Sequence, residues 1–260
     1  MRTKAVLSVA VLAVCSFALP ALAVKNISFP VYFLGNGFST STVDKNSGLE
    51  IERAVYSTAK RTFSGKSFIV AVVDNTRTEK GRAIKEKIDR YYTLSGDKIS
   101  TYNITMVSTA EGRTYQYSRR SYDWGDGTIS VEFADYLTGK QVLKTVPLSG
   151  SIVDYQDLTF YMYDMVVNSA KKRNITLMFP DGGTVPIALS SDYSVQQISL
   201  GNKTVNCYRI GLKPDFGLLS SLIPDSGYWF EAAPPYRFIK YEGTLKGPGS
   251  PDVIISESKP

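Results

Sequence analysis

Three β-like segments follow one another in residues 101–133, TYNITMVSTAEGRTYQYSRRSYDWGDGTISVEF. They are residues 101–108, 113–122 and 128–133, and each is rich in β-branched and aromatic side chains, which favour strands. The dipeptides Glu111-Gly112 and Asp126-Gly127, both typical of tight turns, separate them. The stretch therefore predicts consecutive β-hairpins in an antiparallel sheet.

The middle segment also indicates which side chains share a face. Tyr115 and Tyr117 alternate with Gln116, Ser118 and Arg120. Because neighbouring residues of a strand point to opposite faces, the tyrosines lie on one face and the polar groups on the other. The alternation predicts a sheet with one wet face.

Further β-like runs lie on both sides of this stretch. The unbroken apolar run 68–73 predicts a strand that is covered on both faces. Residues 180–183 and 201–202 are predicted turns. The other predicted strands are 27–34, 174–179, 184–190, 195–200, 204–212, 227–232, 238–245 and 253–255.

One segment has a different period. Apolar residues recur there at helical spacing, at Leu158, Tyr161, Met162, Met165 and Val166. Asp157 precedes them and is placed to cap the first turn of a helix. Residues 49–63 and 79–94 fit a helix and a strand equally. The fold class is therefore mainly β with one or two helices.

The N-terminus has the layout of a secretory signal peptide. Arg2 and Lys4 precede an uncharged apolar stretch, residues 5–19, which is too short to span a bilayer comfortably. Pro20 then ends the helix, and Ala21-Leu22-Ala23 offers small side chains to a signal peptidase. We expect residues 1–23 to be removed after Ala23. A retained anchor and a lipoprotein acylated at Cys15 are the disfavoured alternatives.

Histidine and cysteine usage excludes several kinds of chemistry. The chain has no histidine, which excludes Ser-His-Asp and Cys-His catalysis and imidazole-based zinc sites. Gly65-Lys66-Ser67 lacks the upstream glycine of a phosphate-binding loop, and Asp123-Trp124-Gly125-Asp126-Gly127 lacks the ligand spacing of a calcium loop. We predict no catalytic residue, no metal site and no cofactor. Once the signal is removed, Cys207 has no cysteine to pair with.

The charge of the chain is mildly basic, with a formal net charge of +6 at pH 7. No block of like charge stands out, so we do not expect nucleic acid as a partner. Such a balance suits a protein that works near anionic envelope polymers or lipid head groups.

Residues 113–256 resemble the domain of unknown function 3108 family of exported bacterial proteins. The resemblance is carried by Tyr122-Asp123-Trp124, the helix start at 157–161, Asp181-Gly182-Gly183, Cys207-Tyr208-Arg209, Tyr228-Trp229-Phe230 and, nearer the start, Tyr32-Phe33-Leu34-Gly35. Residues 78–94 match poorly. The resemblance implies a periplasmic protein with a large curved antiparallel sheet, similar to the lipoprotein-carrier type of fold. In that fold a half-open barrel encloses an apolar cavity, and a helix packs against it.

From this resemblance and the β pattern we expect a single mainly β domain at 24–256 and a short tail at 257–260. The expected function is periplasmic and non-enzymatic: binding of a lipid, a lipoprotein or another hydrophobic envelope ligand. Candidate ligand-binding residues are Tyr161, Met162 and Met165 on the helix, together with Trp124 and Trp229. Such a Met and Tyr stripe is more often ordinary core packing than a ligand site.

Two other functions fit the sequence. The first is an interaction or scaffold protein that docks on an envelope component through an open sheet edge, without a transmembrane segment in the mature chain. Membrane-surface association belongs with this hypothesis. The second is a hydrolytic enzyme, for which the sequence offers no activated nucleophile and no spaced carboxylate pair.

Overall fold

The computed structural model describes residues 26–35, 37–79, 81–148, 151–200, 203–215, 217, 226–245 and 250–258. All strands in these ranges belong to one large, open, curved sheet that is almost entirely antiparallel. The predicted fold class, mainly β with a helix against a curved sheet, is confirmed. The predicted signal peptide at 1–23 and the predicted turn at 201–202 lie outside the described residues.

The first half of the chain is a long meander. Its strands are β1 (Ile27–Ser28), β2 (Phe38–Asp44), β3 (Glu50–Phe63), β4 (Lys66–Glu79), β5 (Arg82–Ser95), β6 (Lys98–Ala110), β7 (Arg113–Asp123), β8 (Thr128–Asp135) and β9 (Lys140–Pro147). From β2 to β9 each strand pairs antiparallel with the next. The hairpins predicted from 101–133 are β6, β7 and β8, and the two ambiguous segments, 49–63 and 79–94, are the strands β3 and β5.

The second half begins with the helical segment. A short 3-10 helix, Tyr155–Asp157, links β10 (Ile152–Asp154) to α1 (Leu158–Val167). The remaining strands are β11 (Lys172–Met178), β12 (Thr184–Ser190), β13 (Gln196–Leu200), β14 (Lys203–Pro214), β15 (Ser226–Glu231), β16 (Phe238–Thr244) and β17 (Asp252–Ser258). Because β17 extends to Ser258, the last strand includes two residues of the predicted tail.

The two halves join through a long-range pairing. β17 pairs antiparallel with β2, which places the end of the described chain beside its beginning. β10 is parallel to β11, and β1 pairs with the start of β6. Ile69 of β4 and Leu189 of β12 belong to the same buried cluster as Met165 of α1. The sheet therefore curves around α1, and this inner face holds the main core.

Three predictions about local structure need correction. The predicted strand 27–34 is a strand only at Ile27–Ser28 and becomes a 3-10 helix at Val31–Phe33, because Pro30 has no N–H to give to a strand partner. In the apolar run 68–73, Val70 and Val72 are only half-buried, so coverage on the outer face is partial. The helix is confirmed, but Phe160 and Asp164 are buried too, so the amphipathic pattern understates its burial.

No helix within the ranges described above is both long and apolar enough to cross a bilayer.

Candidate functional site

The polar face of β7 is the buried one. Ser118 and Arg120 are 0% exposed, whereas Arg119 between them is exposed. The predicted alternation of 115–121 is therefore correct, but its polar side faces α1 rather than water. Arg120 tolerates this burial because its guanidinium forms two hydrogen bonds to Asp154, from Nε to Oδ2 at 2.5 Å and from Nη2 to Oδ1 at 3.3 Å.

A second carboxylate lies beside this pair. Asp157 is 3% exposed and accepts hydrogen bonds from the hydroxyls of Tyr92 and Thr101, both at 2.6 Å. It occupies the N-cap position of α1, as predicted, but its side chain makes no capping hydrogen bond. Asp154 instead accepts a hydrogen bond from the Gln156 N–H at 3.0 Å and caps the 3-10 helix. We call Arg90, Tyr92, Arg120, Tyr122, Asp154 and Asp157 the buried charge cluster.

The buried charge cluster attaches the helical segment to the sheet. The Tyr122 hydroxyl donates to Asp154 at 2.9 Å, and Arg90 donates to the carbonyl of Gln156 at 2.6 Å. Each carboxylate is thus bound by side chains of the sheet. This arrangement positions α1 and leaves the two carboxylates enclosed by their protein partners.

One member of the cluster has a strongly altered proton affinity. Burial, and secondarily the charge of Asp154, raise the pKa of Asp157 from 3.8 to about 6, although Arg90 opposes the shift. Since the folded state holds this proton more tightly than the unfolded state, the stabilising contribution is complete below pH 3.8 and is lost as pH rises through 6.

We expect Asp157→Asn to flatten this pH dependence. The amide does not ionise, so the free energy of unfolding of the variant should stay level between pH 4 and pH 7, where that of the unaltered chain falls by about 1–3 kcal/mol. The amide nitrogen cannot accept one of the two hydroxyl hydrogen bonds, so we expect the variant to be the less stable protein at pH 4. Urea unfolding at pH 4, 5.5 and 7 measures the difference. A variant whose free energy of unfolding falls with pH as steeply as that of the unaltered chain would contradict this assignment.

An aromatic recess of about 350 Å³ opens beside the core, between the start of β2 and the start of β16. Its walls come from segments far apart in the chain: Tyr32, Phe33, Gly37, Phe38, Pro235, Arg237, Phe238 and Glu257. The Phe38 ring stacks on Tyr56 of β3, with ring centroids 4.3 Å apart and planes 6° apart. The β17–β2 pairing brings these segments together.

Three of the rings around the aromatic recess keep some accessible surface. Tyr32, Phe38 and Phe238 are half-buried and contact the main core. The Tyr32 and Phe33 rings stack at 4.5 Å, and Phe33 contacts Phe38 at 4.8 Å. Half-buried aromatic rings that border an empty volume can stack on a ligand without rearrangement of the core.

Tyr32 lies in the wall of the recess. Burial raises the pKa of its hydroxyl above the usual value, although the residue keeps some accessible surface. The Tyr32 hydroxyl also accepts the backbone N–H of Phe238 at 3.1 Å, which fixes one wall against the other.

Three buried polar atoms of β4 and β5 have no hydrogen-bond partner within the described protein. They are Asn75 Oδ1, Arg77 Nε and Arg90 Nε, although Arg77 Nε forms an ion pair with Glu79 at 3.5 Å. Arg90 and Tyr56 are close enough to interact electrostatically. Because an unpaired buried polar atom is costly, this part of the sheet is suited to a polar group from a bound molecule or to ordered water.

The five predicted ligand-binding residues lie in three separate places. Tyr161, Met162 and Met165 are buried in the main core; Trp124 packs beside Tyr122, and its indole donates to the Thr101 carbonyl at 2.7 Å. Trp229 lies on the outer face of β15, with the Lys240 ammonium 4.4 Å from its ring centroid. None of the five borders the aromatic recess, and their ligand binding stays a prediction.

The recess itself leaves only a weak signal in the sequence. Tyr32 stands in a motif that carries the family resemblance, but nothing in the sequence connects Phe38 with Phe238. Hydrophobic periodicity relates residues that are close together in one strand, whereas these rings meet only through the β17–β2 pairing.

Three other features of the described residues bear on metal binding and reactivity. No group of three or more carboxylate or thiol ligands that could hold a metal ion occurs among the described residues. Asp123 Oδ1 accepts the backbone N–H groups of Gly125 and Asp126, as expected of a hairpin turn. Burial raises the pKa of the Cys207 thiol to about 11, which disfavours the reactive thiolate.

A second hollow lies at the opposite side of the inner face. It measures about 430 Å³ and lies between Gln116 and Phe133 of the sheet and the turn around Pro180. It is wide open to solvent, and the Lys140 ammonium already holds Asp181 on its rim at 2.7 Å. The aromatic recess is better enclosed.

Comparison with known proteins shows the fold alone. The structure is similar to a beta-barrel-like protein of domain of unknown function 1849 from Brucella abortus, with a TM-score of 0.52 and 10% sequence identity over 86% of this chain and 94% of that chain. A protein of the domain of unknown function 1089 family from Pseudomonas aeruginosa gives a TM-score of 0.37 and 10% identity over 72% of this chain and 89% of that chain. No family model and no curated protein matches, so the resemblance to domain of unknown function 3108 is not confirmed.

Proposed function

We propose that this protein is a non-catalytic binding protein that holds a hydrophobic or amphipathic ligand in the aromatic recess. The observation that carries the proposal is the enclosed volume of about 350 Å³ bordered by half-buried aromatic rings. Small-molecule sites are typically concave, mostly apolar and about 300–1,000 Å³ in volume. The beta-barrel-like fold is compatible with such a role.

The inner face of the sheet supports an amphipathic ligand over a purely apolar one. Ala54, Val73, Ile88 and Met106 form an apolar cluster against Tyr56. Arg90 interacts electrostatically with Tyr56, and its Nε has no hydrogen-bond partner among the described residues. An acyl chain with an anionic end would match both surfaces, because the chain packs on aromatic and aliphatic groups and the end meets the guanidinium of Arg90.

We infer the cellular location from the sequence. The predicted signal peptide ending at Ala23 and the resemblance to exported bacterial proteins support a periplasmic location. There, a lipid or the acyl chain of a lipoprotein is the ligand class that fits the recess. We infer no enzymatic step, because Asp154 and Asp157 are both enclosed by bonds to the sheet.

We expect removal of the Phe38 ring to weaken binding of a fluorescent apolar probe. Phe38→Ala deletes a ring that borders the recess, and the lost contact should lower the affinity for N-phenyl-1-naphthylamine about tenfold. Phe38→Leu keeps part of the apolar volume, so its affinity for the probe should lie between those of Phe38→Ala and the unaltered protein. Fluorescence titration gives the three dissociation constants, and circular dichroism verifies that each variant is folded.

Phe63→Ala is the matched control, since it deletes an exposed phenylalanine at the far tip of β3. It should leave probe binding unchanged. Equal affinity in all four proteins, or an equal loss in Phe63→Ala, would reject the recess as the binding site.

The sheet-edge alternative is supported by β9. Within the described ranges β9 pairs with β8 alone, and its Leu143 side chain is 87% exposed. However, Lys140, Lys144 and Pro147 are residue types that keep a sheet edge from pairing with another chain. We therefore favour the recess.

A further inference from the structure

The β3–β4 hairpin ends in a tip that has little lateral support. β2 pairs with β3 only as far as Tyr56, so in the part of the chain that the structure describes, residues 59–63 pair with β4 alone. The turn residues Ser64 and Gly65 have φ of 47° and 75°. Two consecutive positive φ angles are typical of the type I′ turn, which matches the twist of its strands and gives a well-defined tip.

Aromatic side chains lie on the outer face of this tip. Phe63 is 53% exposed and Tyr102 of β6 is 50% exposed. The buried ring of Phe68 lies between them, 6.1 Å from the Phe63 ring and 5.3 Å from the Tyr102 ring. Tyr102 falls at a bulge where β6 has one residue more than β5, which lets its ring reach this face.

Basic side chains surround these rings. In the strand register Arg61 is opposite Phe68, and Lys66 is opposite Phe63. We call Arg61, Phe63, Lys66, Phe68 and Tyr102 the outer patch. Lys60 is exposed too, but it is opposite Ile69 of the main core and so lies on the other face of the hairpin. No acidic residue occurs between positions 53 and 73. Among the described residues, no carboxylate forms an ion pair with Lys60, Arg61 or Lys66.

We propose that the outer patch docks the protein on an anionic lipid bilayer. Amphipathic aromatic rings favour the headgroup level of a membrane, and each basic residue near an anionic surface contributes to binding. The patch has both kinds of group at a rigid tip, with cations that no protein carboxylate neutralises. Its charge is complementary to anionic headgroups, which makes a lipid surface the preferred occupant.

The docking surface is independent of the aromatic recess but lies on the same strand. Tyr56 stacks on Phe38 of the recess wall, and Arg61 and Phe63 follow it along β3. The Gly35 N–H donates to the Thr58 carbonyl at 3.3 Å between the two sites. A docked tip would hold the recess close to the membrane surface without closing it.

Vesicle sedimentation tests the proposal. The purified protein should bind vesicles of equal parts phosphatidylglycerol and phosphatidylcholine, and should not bind phosphatidylcholine alone. Arg61→Gln with Lys66→Gln should weaken binding about thirtyfold, since each basic residue contributes about fivefold in affinity at an anionic surface. Phe63→Ser should weaken it about tenfold through loss of apolar burial.

The control pair is Lys171→Gln with Lys172→Gln, two exposed lysines outside the outer patch. It makes the same change in net charge and should leave vesicle binding within twofold of the unaltered protein. All substituted positions are exposed, so thermal unfolding should hardly change.

Any of four results would overturn the proposal. The unaltered protein does not bind anionic vesicles, the control pair loses as much affinity as the patch pair, or the patch pair binds as tightly as the unaltered protein. The fourth is that the patch captures a partner protein while the protein does not bind vesicles.

Discussion

Asp154→Ala should destabilise the protein by about 3–5 kcal/mol, because it leaves the guanidinium of Arg120 buried without its counter-charge. Arg120 is 0% exposed and Asp154 is 2% exposed, so water cannot replace the lost partner. The Tyr122 hydroxyl and the Gln156 N–H lose their acceptor as well. Urea unfolding followed by circular dichroism gives the free energy of unfolding.

Two control variants separate the buried charge from a general loss of contacts. The double variant Arg120→Met with Asp154→Leu removes both charges and should recover a large part of the lost stability, since apolar pairs often replace a buried ion pair without penalty. Lys140→Ala breaks the exposed pair with Asp181 and should cost less than about 1 kcal/mol. If Asp154→Ala costs no more than Lys140→Ala, the buried charge cluster does not anchor α1.

Phe160→Ala should have a destabilising effect of similar size, about 3–5 kcal/mol. The Phe160 ring is 3% exposed and makes edge contacts with Phe29, Phe33 and Tyr92, at centroid distances of 5.7, 5.6 and 5.6 Å. The Arg90 guanidinium also lies 5.1 Å from its centroid. Its loss would leave a cavity at the point where α1 meets the first half of the chain.

Phe63→Ala is the matched control for this prediction too, because the same ring is deleted from an exposed position. It should change the free energy of unfolding by less than about 1 kcal/mol. Equal losses in the two variants would show that α1 is not packed into the core as described.

The strands were the most predictable part of the fold, for a local reason. Turn dipeptides such as Glu111-Gly112 adopt positive φ in the structure, so the sequence itself marks where one strand ends and the next begins. The β5 segment was ambiguous because Ile84, Ile88 and Tyr92 are spaced four apart, which a helix face also shows. Its period of two becomes visible only when Glu86 and Arg90 are known to be buried.

Buried polar residues explain why the faces were harder to predict than the strands. Ser118 and Arg120 look like a wet face, because isolated arginines are rarely buried. Their burial depends on Asp154, 34 residues further along the chain, which supplies the counter-charge. No property of β7 alone reveals that partner.

The candidate site was the least predictable feature. Tyr32, Phe38 and Phe238 come together through the pairing of β17 with β2, and strand partners so distant in sequence leave no local pattern. The residues that the sequence did single out, Met162 and Met165, lie at helical spacing and fill the core under the recess. A regular pattern thus marked the core, whereas the recess has an irregular lining.

The binding of an amphipathic ligand in the aromatic recess is tested most directly by photo-crosslinking. A fatty acid with a diazirine on its chain is irradiated with the protein, and the adducts are located by peptide mass spectrometry. We expect adducts on Tyr32, Phe33 or Phe38 and on Pro235 or Phe238, all suppressed by excess unlabelled fatty acid. Adducts spread over exposed segments, or adducts that the competitor does not suppress, would contradict the proposed function.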